Sequence, residues 1–322
     1  MVLLVVHQSA RGTRCALSAL MLLTVSAGCA GAQSAGRSAT PPPERTSSPG
    51  RLSSAAIDLA THSGTWPTTE RTLMSAEVRL VRACMEEKGF RYPAPDPPAR
   101  PAPEDEKAAV ELTDRSRTGY GISQPPSQAP GPGSAPVDRY YRTLPAARQR
   151  AFDQALDGPP DKKVTVSGTD WGEVRVATEG CDAESRSRLA GSPALWARIT
   201  YVPERYDNEL GRRVPSAPAY VRAMAEWRSC MADRGLAYRS PEQAQDALRK
   251  ERRTTDSADA FRHREITVAV ADGACALRAH LPAVSLRVQR ELVSTLSRDE
   301  QHTLTELTAH REAALRRART IL

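Results

Sequence analysis

The residues that could carry chemistry in this chain are cysteines, and four of them occur in a repeated context. Residues 84–90 read Cys-Met-Glu-Glu-Lys-Gly-Phe, and residues 230–236 read Cys-Met-Ala-Asp-Arg-Gly-Leu. Each copy is followed further along the chain by one more cysteine near a glycine, Cys181 and Cys275. Such thiols could form disulfides, bind zinc or act as nucleophiles.

Structural disulfides are the interpretation that the pattern favours. A zinc site is typically built from close pairs such as Cys-x-x-Cys, and the sequence has none. A catalytic thiol needs a histidine partner, and no histidine is patterned with a cysteine. An even number of cysteines in an exported chain is typical of a disulfide framework.

The other chemistry-bearing pattern is weak. His302, Glu306 and His310 are spaced i, i+4, i+8, so one face of a helix could present all three as metal ligands. The alternative is a solvated face of a charged helix. No Gly-x-Ser-x-Gly, Ser-x-x-Lys, His-Glu-x-x-His or phosphate-binding glycine loop occurs. The sequence therefore predicts no catalytic residue and no cofactor.

The first 29 residues have the pattern of an export signal. Arg11 and Arg14 precede an apolar stretch that is too short to span a bilayer comfortably. The stretch ends in Val-Ser-Ala-Gly-Cys, which is similar to a bacterial lipobox with Cys29 as the lipidated residue, although Ser26 departs from the usual Leu or Val. The alternative is cleavage after Ala32, which would give a soluble secreted protein.

Lipidation of Cys29 predicts a protein held at the extracytoplasmic face of the cell membrane by its N-terminal lipid. The formal net charge is +7, but the basic residues are not clustered with aromatic ones. Together with export, this argues against a nucleic-acid partner.

Composition divides the remaining chain. Residues 30–66 are rich in Ser, Thr, Gly, Ala and Pro and are expected to form a disordered tether. A first helical lobe over residues 67–200 and a second over 201–322 follow. Proline-rich stretches at 93–103 and 124–136 interrupt the first lobe as surface loops, and residues 93–136 as a whole are expected to lack a packed partner.

The repeat predicts two amphipathic helices that each carry a cysteine in the last turn. With Cys84 set on Cys230, apolar residues fall at i, i+4, i+7 and i+11 in both copies. Gly89 and Gly235 follow where a left-handed C-terminal cap belongs. Ser216 and Pro218 are expected to cap and open the second helix.

The other predicted elements are mostly helical. Helices are expected over 145–156, 181–190, 241–253 and 257–280, although residues 266–270 would also suit a buried strand. Short strands are expected at 164–166 and 174–176. A long C-terminal helix spans 281–317, with a capping-box pattern at 297–300 that marks a break. The four tryptophans are interpreted as core anchors, with Trp196 the one most open to exposure.

Four cysteines allow three pairings. Duplication favours one of them, in which Cys84 pairs with Cys181 and Cys230 with Cys275, since an ancestral unit would carry one bridge. A Cys84–Cys230 bridge would instead join the two halves.

The cysteine segments resemble a broad set of uncharacterised secreted proteins and lipoproteins of actinobacteria. The residues that carry this resemblance are 84–90, Gly180-Cys181-Asp182-Ala183-Glu184, and 265–272 leading to Cys275. The resemblance covers roughly residues 70–320. It implies no catalytic residues, and it implies an accessory role beside an envelope protein or export system.

The expected function is therefore that of a non-enzymatic cell-envelope accessory or binding protein. The alternative is a cell-wall or peptide hydrolase of an unrecognised type. A deep pocket with two convergent ionisable groups would favour the hydrolase, whereas a groove-like surface without them would favour binding.

Overall fold

The computed structural model describes residues 52–124 and 135–322. The predicted signal segment, Cys29 and the tether up to residue 51 lie outside the described residues. Within them the chain forms thirteen α-helices and one two-stranded antiparallel sheet, so the predicted mainly α fold with a long C-terminal helix is confirmed. All the described residues belong to one compact unit.

The bounds of the elements are α1 (Ser54–Ala60), α2 (Trp66–Glu87), α3 (Glu106–Val110), α4 (Leu112–Thr118), α5 (Pro136–Thr143), α6 (Ala146–Asp157), β1 (Lys163–Thr169), β2 (Gly172–Ala177), α7 (Cys181–Ala190), α8 (Pro193–Arg213), α9 (Pro218–Ala232), α10 (Pro241–Arg252), α11 (Ala258–Arg278), α12 (Leu281–Leu292) and α13 (Arg298–Ile321).

The two repeat helices, α2 and α9, end in the same way. Gly89 and Gly235 have φ values of 76° and 73°, which a residue without Cβ adopts at little cost. The next residue's N–H reaches back to the carbonyl of Met85 in one copy and of Met231 in the other, at 2.9 and 3.0 Å. These are Schellman caps, and their prediction is confirmed. The predicted serine cap of α9 is wrong, since Ala217 is the N-cap and Ser216 lies in a 3₁₀ turn.

Each repeat helix is joined by a disulfide to a second helix. Cys84 of α2 bonds to Cys181 at the start of α7, and Cys230 of α9 bonds to Cys275 of α11. The Cα atoms are 5.6 Å apart in both bridges, a usual separation. The predicted pairing is therefore confirmed.

The main core is built from helices at both ends of the chain. It joins apolar side chains of α1, α2, α7, α8 and α13, with Leu73, Leu189, Ile199, Leu304 and Leu307 buried. A second core lies among α9, α10 and α11 around Trp227. Residue 200, the predicted lobe boundary, lies inside α8, and α13 packs against α2.

Two local predictions need correction. The tether cannot extend to residue 66, because α1 buries Leu59 and Ala60 in the main core and α2 begins at Trp66. The alternative of a strand at 266–270 is wrong, since these residues lie within α11. Trp196 is buried, as its interpretation as a core anchor predicts, and it lies in α8, a helix that the sequence did not predict.

The proline-rich insertion also departs from expectation. Residues 105–123, here called the strap, contain α3 and α4 and pack on α11. The prediction that residues 93–136 lack a packed partner is therefore wrong for the strap, and residues 125–134 lie outside the described residues.

Two buried carboxylates of α11 hold the strap. Glu265, with no exposed surface, accepts hydrogen bonds from the backbone N–H groups of Tyr120, Ile122 and Ser123 at 2.7–2.8 Å. Seven residues on, Asp272 accepts from Arg115, from the Tyr120 hydroxyl and from the indole N–H of Trp227. A buried carboxylate is tolerated only when such donors replace water.

The close approach of the strap to Glu265 needs a glycine. Gly119 has a φ of 61°, and a Cβ there would lie 2.7 Å from Cγ of Glu265. The backbone can therefore reach the carboxylate only because position 119 has no side chain.

Replacement of Glu265 by Gln should loosen the strap while the rest of the fold stays intact. The neutral amide keeps the shape of the side chain but loses its negative charge. Its NH₂ group also cannot accept a hydrogen bond in place of the second carboxylate oxygen, so the three backbone N–H groups are no longer all satisfied. Hydrogen bonds to a charged group are worth about 1.5–3 kcal/mol each, so trypsin should cut after Arg115 and Arg117 at least roughly tenfold faster.

The matched control is Glu306→Gln, because Glu306 is an exposed carboxylate of α13. Limited proteolysis followed by mass spectrometry gives the rates. Equal cleavage rates at the strap in wild type and E265Q would contradict the role given to Glu265.

Candidate functional site

A groove of about 900 Å³ lies beside α12 and is here called the α12 groove. Its apolar lining comes from the start of the described chain, from α1, from α12 and from the 3₁₀ turn after α12, through Leu52, Ile57, Leu286 and Val293. Charged side chains share the lining, namely Glu104, Arg287, Arg290 and Glu291. An apolar surface with a few charges is the usual character of a binding site.

Arg290 fixes one wall of the α12 groove. Its Nη1 donates to Oδ1 of Asp58 at 2.7 Å and to the hydroxyl of the fully buried Ser63. The second oxygen of Asp58 accepts from the N–H of Thr65 at 2.9 Å. This partly buried ion pair, in which Asp58 also accepts from the backbone of Thr65, therefore ties α12 to α1 and to the turn after it.

The groups with shifted pKa values lie on other parts of the molecule. Burial raises the pKa of Glu77 and of Asp182, and Arg186 opposes the shift. Arg186 donates to Glu77 at 3.0 Å and to Asp182 at 3.2 Å. Since one guanidinium serves both carboxylates, this cluster acts as a clamp between α2 and α7, and neither acid lines the α12 groove.

His62, in the turn between α1 and α2, combines a left-handed backbone conformation with a largely buried ring. Its φ is 43°, in the left-handed region, and its ring stacks on Trp66 with centroids 4.0 Å apart. Burial, together with Arg311 and Arg100, lowers the pKa of His62 from 6.5 to about 4. Asp207 lies 3.5 Å from Nδ1, but the lowered pKa means that burial and the two cations outweigh this acid.

His62 and Asp207 could form a general-base pair only if a substrate could reach the imidazole. The side chain of His62 is 20% exposed, and burial raises the pKa of Asp207. Neither residue lines the α12 groove. The geometry therefore does not bring this pair to the α12 groove.

The structure places the weak metal candidates on the surface. His302, Glu306 and His310 lie on the exposed side of α13, and Nε2 of His302 is 3.2 Å from Oε1 of Glu306. In the part of the chain that is described, no three His, Cys, Asp or Glu side chains are grouped so that they could hold a metal ion. Cys84, Cys181, Cys230 and Cys275 are in disulfides and offer no free thiol.

The four tryptophans differ in burial. Trp227 and Trp196 are core residues, as predicted for both, and Trp66 is half-buried. Trp171 is 61% exposed at the tip of the β1–β2 hairpin, so its interpretation as a core anchor is wrong. Its ring meets Tyr201 of α8 edge-on, with centroids 6.0 Å apart, and the rest of the side chain faces solvent at the two-residue turn.

Sequence reasoning missed both the strap carboxylates and the α12 groove. Glu265 and Asp272 did carry a signal, because two acids spaced i, i+7 flank a run of apolar residues on one helix face. No comparable signal links Asp58 to Arg290, which are 232 residues apart.

Comparison with known proteins yields no match among protein-family models, curated proteins or solved structures.

Because the pKa of His62 is lowered, the free energy of unfolding should fall as the pH is lowered. The folded state keeps His62 neutral, whereas the unfolded chain takes up a proton below its ordinary pKa of 6.5. Its contribution to stability is thus fully present above pH 6.5 and is lost as the pH falls toward about 4. Between about pH 7 and 4.5 this loss amounts to about 2–3 kcal/mol of unfolding free energy.

His62→Asn should remove most of that loss, because Asn tolerates a positive φ and does not titrate. Urea unfolding at the two pH values measures it, with the exposed His302→Asn as the control. If H62N and wild type lose the same free energy on acidification, His62 is not a buried neutral imidazole.

Proposed function

We propose that the protein is an extracytoplasmic binding protein, anchored to the membrane by a lipid on Cys29, and that the α12 groove is its binding surface. The observation that carries the proposal is the groove itself. Its size, about 900 Å³, lies within the range of ligand sites, and its apolar side chains are flanked by charges of both signs. Such a lining suits a partner segment or solute with an apolar body.

The disulfide bonds support the proposed extracytoplasmic location. Two disulfides fit a protein that matures in an oxidising, extracytoplasmic environment. Among the described residues, no helix has the length and hydrophobicity needed to cross a membrane. The lipid on Cys29 is therefore the anchor that the proposal requires.

The arrangement of ionisable groups favours binding over hydrolysis. Burial shifts the pKa of Glu77, Asp182, His62 and Asp207, and none of these four residues lines the α12 groove. Both arginines that line the groove already have an acidic partner, Arg290 in Asp58 and Arg287 in Glu291. A hydrolase would need a convergent acid and base at its substrate.

A direct test uses the dye anilinonaphthalene sulfonate as a probe of the α12 groove. The native protein should bind the dye at one saturable site, and Leu286→Gln should weaken binding about tenfold, because it removes apolar contact area from the groove wall. Val221→Gln is the matched control, since Val221 is 48% exposed on α9 and does not line the groove.

Fluorescence titration measures both affinities. Absence of saturable binding, or equal affinity of L286Q and wild type, would contradict the groove as the binding surface. Release of peptides or sugars from cell walls by the wild type, lost in His62→Asn, would instead establish the hydrolase.

The anchor is tested separately by Cys29→Ala. The variant should move from the membrane fraction into the medium and lose labelling by a fatty-acid probe, because the cysteine that takes the lipid is gone. Cell fractionation with immunoblotting measures this distribution. A wild-type protein that is already in the medium and begins at Gln33 would overturn the lipid anchor and leave the binding proposal to the dye titration.

A further inference from the structure

The Cys84–Cys181 bridge lies beside a cluster that carries more negative than positive charge. Arg186 of α7 donates to Glu77 of α2 at 3.0 Å and to Asp182, the residue after Cys181, at 3.2 Å. One guanidinium therefore faces two carboxylates, and the three side chains are only 19–22% exposed. Glu77 lies two helical turns before Cys84, so both meet α7 from the same face of α2. These five residues are here called the α2–α7 junction.

The groups around the junction respond to this excess of negative charge. Burial raises the pKa of Glu77 and of Asp182 even though Arg186 opposes it, and Asp157 adds to the rise for Asp182. Burial, together with Asp182, Glu77 and Asp157, also raises the pKa of Tyr92 to about 12. A carboxylate whose pKa is raised by folding destabilises the folded state while it is ionised. Closing α7 on α2 at neutral pH therefore costs free energy at this cluster.

Apolar packing at the junction is limited. The buried members of its cluster are Val81, Cys84, Met85, Phe90, Phe152 and Cys181. Only the last turn of α7, through Leu189 and Ala190, reaches the main core. The bridge closes a loop of 97 residues, so it removes much conformational freedom from the open chain. The first turns of α7 therefore depend on the bridge more than the last turn does.

The Cys230–Cys275 bridge lies in different surroundings. The two buried acids of α11 near it, Glu265 and Asp272, each accept hydrogen bonds from three donors. The larger second core, with Trp227 at its centre, packs around this bridge. Packing of α9 on α11 is therefore supported by matched donors and apolar contacts in addition to the bridge, whereas the α2–α7 junction has neither to the same extent.

We propose that oxidation of Cys84 and Cys181 controls the α2–α7 junction, so that the first turns of α7 stay open while the thiols are reduced and close on α2 once the bridge has formed. The bridge forms by exchange with a disulfide oxidant. The S–S bond of the oxidant breaks, two electrons and the two thiol protons pass to its sulfurs, and the Cys84–Cys181 bond forms. No residue of the junction lines the α12 groove, so the inference is independent of that surface.

The first test removes each bridge in turn and follows amide hydrogen exchange by mass spectrometry at neutral pH. With Cys84→Ala and Cys181→Ala, residues 181–187 should exchange at least about tenfold faster relative to α13, because the open junction is then populated. The matched control carries Cys230→Ala and Cys275→Ala. In that control, exchange of α9 relative to α13 should change by less than about twofold. Unchanged exchange of residues 181–187 without the Cys84–Cys181 bridge would overturn the proposal.

The second test removes the excess charge. Added to the variant without the Cys84–Cys181 bridge, Glu77→Gln should slow exchange of residues 181–187 about tenfold, because it leaves one carboxylate to one guanidinium. The exposed Glu306→Gln makes the same change in net charge and should have no effect. Faster exchange in E77Q would mean that the ion pair stabilises the junction, and the proposal would fail. If the bridge variant does not fold, E77Q with both bridges intact should raise the urea midpoint, and a lowered midpoint would overturn the proposal.

Discussion

Buried charge is the constraint on which the rest of this structure depends. Glu265 and Asp272 are almost fully buried in α11, where an unpaired carboxylate would be strongly destabilising. Their donors come from the strap and from Trp227 of α9, so that satisfying two side chains orders three separate parts of the chain. Cys275 lies three residues after Asp272 and adds a covalent tie at the same place.

The same constraint recurs in the main core. Arg311, 5% exposed on α13, donates to Glu70 of α2 at 2.7 Å, and Arg290 of α12 binds Asp58 of α1. These pairs connect residues more than two hundred positions apart. Aromatic residues make up only 5% of the chain, and the core is built mainly from aliphatic side chains, to which these ion pairs add directional contacts between helices. Breaking one partner of such a pair is costly, because the other charge stays buried.

Local sequence signals predicted the local features well. The cysteine repeat, the glycine caps at Gly89 and Gly235, the hairpin and the break at Ser297 follow from short-range rules, and the disulfide pairing follows from the duplication. Features that depend on distant partners were missed. The apolar pattern of Ala56, Leu59 and Ala60 covers too few residues to predict a helix. Helix α1 is stable because it is buried against α8 and α13. The strap reads as a polar loop because its partners lie in α11, and the α12 groove depends on a contact across 232 residues.

The central claim is that this is an extracytoplasmic protein whose helices are joined by two disulfides, so the redox state of its cysteines in the cell decides it. The direct measurement is peptide mapping of the protein taken from its native envelope after free thiols are trapped with an alkylating agent. We expect linked peptides for Cys84–Cys181 and Cys230–Cys275 and no alkylation at these four residues. Alkylated Cys84, Cys181, Cys230 and Cys275 would contradict the extracytoplasmic compartment, and a Cys84–Cys230 peptide would contradict the two separately closed helix pairs.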